Sequence, residues 1–84
     1  MKVFALTGKV DYEGETVIAV FKEGEKALAV MNACLAFKQG YDLVENKVED
    51  DSVENEWLKK NKPPIEGRHV QHFDSFHVEP FDLI

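Results

Sequence analysis

Lys26-Ala27-Leu28-Ala29-Val30-Met31-Asn32-Ala33-Cys34-Leu35-Ala36-Phe37-Lys38 decides the fold, because nearly every residue in it is a good helix former. Glu25 stands before the run and Lys38 near its end, the order that the helix dipole favours. Gly24 opens the segment and Gly40 is read as closing it. On a helical wheel Ala27, Val30, Met31, Cys34 and Phe37 form one stripe flanked by Leu28 and Leu35. The apolar arc then covers roughly half the circumference, against the usual ~100°. Ala29, Ala33 and Ala36 lie on the back beside Asn32.

Upstream of this helix, Lys2 to Leu6 and Thr16 to Phe21 are rich in β-branched and aromatic residues and too short for independent helices. Asp11-Tyr12-Glu13-Gly14 between them is a turn, with Gly14 able to take positive φ. A hairpin centred there sets Phe4 opposite Phe21 and Leu6 opposite Ala19 on one face. Ala5 then meets Val20, and Thr7 meets Ile18, on the other. The ringed face is the core face. The second face is also apolar through Val3, Ala5, Ile18 and Val20, although a sheet open to water normally alternates apolar with polar. A second helix, the C-terminal tail or another copy of the chain is expected to cover it.

Downstream, Tyr41 to Val48 reads equally as a short strand or as an extension wrapping the core. Asp51 or Ser52 caps a short second helix with Val53 and Trp57 one turn apart on its inner side, and Pro63-Pro64 ends it. After Gly67 the chain turns strand-like, with Val70, His72, Asp74, Phe76 and Val78 on one parity. Phe81 and Leu83 take the other, which asks for a bulge or bend near Pro80. The fold class is therefore α+β: a three-stranded, mainly antiparallel sheet (ββαβ) with one long helix on its bulky face and a short second helix. The last strand is expected to pair with the first.

With 84 residues, the chain is read as one domain, 1–84. Cys34 is the single cysteine, so there is neither an intrachain disulfide nor a cysteine-based zinc cluster, in keeping with a reducing compartment. No apolar run approaches the roughly 20 residues that span a membrane, and Met1 to Leu6 is too short for a secretory signal. These features predict a cytoplasmic location and no membrane partner. The net charge of −6 argues against direct nucleic-acid binding, which needs a basic footprint.

His69, His72 and His77 lie within nine residues, near Asp74 and Glu79, and raise a metal site. In an extended segment His69 and His77 share a face while His72 points away, which works against a preformed three-histidine site. Cys34, inside the apolar stripe, is a small core residue lacking the exposed, cationic setting of a reactive thiolate. No nucleophile elbow and no glycine-rich phosphate loop are present, so no catalytic residue and no cofactor are assigned. Glu49, Asp50, Asp51, Glu54 and Glu56, with Trp57 as an apolar anchor, form a row of carboxylates that can imitate nucleic-acid phosphates in a basic groove. The plainer reading of that row is a solvated helix entrance, and Lys59, Lys60 and Lys62 dilute its field.

Met1-Lys2-Val3-Phe4-Ala5-Leu6, Val17-Ile18-Ala19-Val20-Phe21 and Glu25-Lys26-Ala27 together resemble the opening of a family of short domains of unknown function met in bacteriophage and bacterial reading frames. The resemblance covers about the first third of the chain, with an echo in the late aromatic strand, and residues 45–64 depart from the short pattern. It implies a phage-type accessory protein that acts in the host cytoplasm by binding a host protein, host defence machinery included. Three function readings follow. The first is a non-catalytic protein-binding module that self-associates through Val3, Ala5, Ile18 and Val20 or through the alanine-rich back of the helix. The second is an acidic inhibitor mimicking nucleic acid to block a host complex. The third is metal binding at the late histidines.

Overall fold

The computed structural model describes residues 1–47, 51–65 and 67–82, for 45–47 and 51–54 the backbone alone. Strands β1 (Lys2–Val10) and β2 (Gly14–Phe21) precede helix α1 (Gly24–Lys47). Helix α2 (Asp51–Lys60), a 3-10 turn over Val70–His72 and strand β3 (Ser75–Asp82) follow. The sheet order is β2-β1-β3 with both pairings antiparallel, so β1 is central and β3 takes its free edge as the sequence predicts. The fold is α+β.

The hairpin turns where its polar residues stand. The Glu13 amide donates to the Val10 carbonyl at 3.0 Å, and Gly14 has φ +95°. Tyr12, fully exposed, also has positive φ, +75°, a region that bulky L-residues enter at a cost. Phe4↔Phe21, Ala5↔Val20 and Leu6↔Ala19 pair as expected, but the register shifts between Leu6 and Thr7, and Thr7 meets Val17. Ile18 is thus the extra residue of a bulge. It joins Leu6, Cys34, Phe37 and Val70 in the buried cluster, so it belongs to the core face and not to the face of Val3, Ala5 and Val20. Strict alternation would leave a large aliphatic side chain outside; one inserted residue turns it under the helix.

β3 pairs with β1 without interruption from Lys2↔Asp82 to Lys9↔Ser75. Phe76 and Val78 pack on the core, as expected. There is no bend at Pro80: an edge strand with a single neighbour tolerates a missing N–H, and Phe81 stays on the outward parity opposite Val3. Leu83 lies outside the described residues. Residues 70–72 are not strand. The His72 and Phe73 amides donate to the His69 and Val70 carbonyls, both at 3.2 Å, and Val70 is fully buried in the turn they close.

α1 carries the predicted stripe: Ala27, Cys34 and Phe37 are buried and Val30 and Met31 pack against them, while Leu28 is half exposed. The helix does not stop at Gly40. It runs on to Lys47, which makes 41–47 a helical extension with Tyr41 buried one turn beyond Phe37. Gly40 serves packing instead of termination. A Cβ there would stand 2.8 Å from a Trp57 ring carbon, so the missing side chain is what lets α2 lie against α1. α2 ends at Lys60, before the prolines, and both the backbone and side-chain amides of Asn61 donate to the Trp57 carbonyl at 2.9 Å.

Gly40→Leu separates two effects. Helix propensity alone favours leucine by about 0.8 kcal/mol. Overpacking against Trp57 costs about 1–3 kcal/mol. Urea unfolding should therefore show a net loss of about 1 kcal/mol, and a gain in stability would mean that Trp57 does not occupy this space. Tyr12→Asn, better suited to positive φ, should raise stability by about 0.5–1 kcal/mol in the same assay.

Candidate functional site

Register assigns every strand residue to one of two faces. Phe4, Leu6, Gly8, Phe76 and Val78 look toward the helices. Val3, Ala5 and Thr7 of β1 look the other way, with Val20 and Val17 beside them on β2 and Phe81, Glu79 and His77 on β3. Among the described residues, the core under α1 takes in nothing from this second face. Its relief is uneven. Val3, Ala5 and Thr7 are short, central and buried between longer neighbours, whereas Val17, Val20 and Phe81 are 51%, 59% and 48% exposed. The face is a shallow trough with apolar sides, and His77 Nε2 meets Glu79 Oε1 at 3.1 Å along its β3 side. Of the four residues predicted for self-association, Val3, Ala5 and Val20 lie here and Ile18 does not.

A second concavity lies where α1, α2 and the residues before β3 meet. A chain of rings ties these elements together: Phe37 to Trp57 (5.1 Å between centroids), Trp57 to Tyr41 (6.2 Å), Tyr41 to His72 (6.0 Å) and His72 to His69 (6.0 Å). Beside it is a cleft of about 230 Å³ lined by Phe37, Leu58, Pro63, Arg68, His69 and Gln71. Arg68 and Gln71 carried no signal in the sequence, since neither stands in a motif or an apolar stripe.

The 3-10 turn changes the histidine geometry. Residues three apart in such a turn lie above one another, so His69 and His72 come together while His77 sits on the outward face of β3. Asp74 is engaged in holding the fold. Its carboxylate accepts from the Asp11 amide at 2.6 Å, and its own amide donates to the Lys9 carbonyl at 2.7 Å. These two bonds pin the entry of β3 to the end of the hairpin. Among the described residues, no three His, Cys, Asp or Glu side chains are grouped to hold a metal.

Of the acidic row, Glu49 and Asp50 lie outside the described residues, and Asp51 and Glu54 are described through the α2 backbone alone. Glu56 is exposed. Trp57 is half buried and engaged with Phe37, Tyr41 and Gly40, so its ring serves the contact between helices and is not displayed as an anchor. Cys34 is buried, and desolvation raises its thiol pKa above the ordinary 9.0. Among the described residues, no helix is long and apolar enough to cross a membrane.

No protein-family model matches the chain, and neither a curated protein nor a solved structure is significantly similar to it.

The buried thiol gives a check on the core. Native protein at pH 8 should resist a thiol-specific reagent, with modification appearing only as denaturant unfolds it; rapid labelling without denaturant would contradict the buried position. A raised thiol pKa means that the native state holds the proton longer than the unfolded chain. This effect therefore leaves stability flat below pH 9.0 and lowers it as pH rises past that value. Cys34→Ala should remove that alkaline decline in a pH series of urea unfolding.

Proposed function

We propose that the protein is a non-catalytic protein-binding module that pairs with a second copy of itself through the open face of its sheet. The observation that carries this reading is the trio Val17, Val20 and Phe81, each about half exposed on a face that no described element covers. The relief suits an isologous contact. In a two-fold pairing, the raised side of one trough can enter the low centre of the other, where only Val3, Ala5 and Thr7 stand. The His77–Glu79 pair then lies toward the polar rim.

Size limits the strength. Three strands about 4.8 Å apart and about eight residues long present a face of about 400 Å². That is half of the ~800 Å² per partner in a standard stable interface. The association is therefore weak and reversible. A host protein as a further partner, in a phage-type accessory role in the host cytoplasm, is proposed on the sequence resemblance alone.

Light scattering coupled to size exclusion, from about 10 to about 500 micromolar, tests a weak self-association of this kind. The mass should rise toward that of a dimer. Val20→Lys and Phe81→Lys should each return it to the monomer while leaving the circular dichroism unchanged. A monomer throughout the range would remove self-association.

A further inference from the structure

We propose that Pro80 closes the outer edge of β3 to strand addition, so that a second copy reaches the sheet through its open face and assembly stops at two. The halt at two copies rests on the face pairing proposed above; the closed edge does not. Two hydrogen bonds fix which way each strand residue turns its backbone. The Val10 carbonyl accepts from the Glu13 amide in the hairpin turn, so Val10, Gly8, Leu6 and Phe4 address β2. The Lys9 carbonyl accepts from the Asp74 amide at the entry of β3, so Lys9, Thr7, Ala5 and Val3 address β3. Phe4 and Pro80 therefore stand opposite each other without exchanging hydrogen bonds, and the ladder between β1 and β3 loses nothing to the missing N–H.

The same alternation turns Ser75, His77, Glu79 and Phe81 toward β1, and Phe76, Val78, Pro80 and Asp82 toward the outer edge. Among the described residues, no backbone bond from outside the sheet reaches Phe76, Val78 or Asp82, and Pro80 itself is exposed. An added strand would take these donors. At Pro80 it would meet a ring in place of an N–H, and its own carbonyl there would be left unpaired. An acceptor unpaired inside a newly buried ladder is costly, and the unbroken run shrinks to Phe76 and Val78.

The opposite edge of the sheet is interrupted by other means. Thr16 to Phe21 carries neither charge nor proline, the composition that invites strand addition. The bulge at Ile18 sets Val17 and Val20, both turned outward, three positions apart where a regular strand repeats every two. A straight partner cannot be in register with both. Each edge thus carries its own interruption, and the outer face is the apolar surface left whole.

Native-state amide exchange of the ¹⁵N-labelled wild type reads the alternation without any variant. The His77 and Glu79 amides should exchange at least about tenfold more slowly than those of Phe76 and Val78. The reverse order would turn the Pro80 ring toward β1 and overturn the proposal. Pro80→Val is then combined with Val20→Lys, which removes the face contact. By light scattering from about 10 to about 500 micromolar, the double variant should rise toward a dimer while Val20→Lys alone stays monomeric. Exchange at Phe76 and Val78 should slow in the associated form. Pro80→Thr repeats the test with a less apolar side chain. Folded double variants that remain monomeric across the range overturn the closed edge, whereas the face pairing is judged separately by Val20→Lys against the wild type. Pro80→Val alone, with face and edge both open, should pass the mass of a dimer; a mass held at the dimer would contradict the halt at two.

Discussion

A single helix lying across a three-stranded sheet can shield only one of its two faces, and most of this structure answers to that constraint. β1 is the middle strand, flanked on both edges, and its two parities meet different fates. Leu6 goes under α1 and into the cluster with Cys34, Phe37 and Val70. Side chains of that kind contribute about 1.5–3 kcal/mol each when fully buried. On the opposite parity Val3, Ala5 and Thr7 are hidden only by the side chains of neighbouring strands. The bulge at Ile18 is a local response to the same constraint, moving one large aliphatic residue from the bare face to the covered one. Val17, Val20 and Phe81 have no such escape.

The sequence was legible wherever a pattern was local. The hairpin turn, the first three cross-strand pairs, the stripe of α1 and the pairing of β3 with β1 were all readable from residue type and spacing. It misled where a residue's role depends on something distant in the chain. Gly40 has the look of a helix terminator, but Trp57, seventeen positions later, determines that it stays inside the helix as a packing notch. Pro80 suggested a bend because Phe81 and Leu83 fall on the opposite parity to Phe76 and Val78, whereas Phe81 keeps the regular register and takes the outer face opposite Val3. Val70 to Asp74 alternates like a strand, but burial of Val70 and the bonds from Asp74 to Asp11 and Lys9 favour a tight turn there.

That turn reorders the candidate chemistry. It separates His77 from His69 and His72, removes Asp74 to a structural post, and brings Gln71 and Arg68 to the edge of a cleft that no motif announced. The molecule is left with two surfaces of different character. One is a broad, shallow, apolar sheet face suited to another protein surface. The other is a small cleft with a cationic side, next to the basic segment of an acidic chain.

The most direct test of the open face is the melting temperature as a function of protein concentration, because association of folded chains stabilises the folded state by mass action. If the open face pairs two copies, the calorimetric midpoint should climb by about 5 °C over a hundredfold rise in concentration. A midpoint that stays constant over that range would contradict a self-associating sheet.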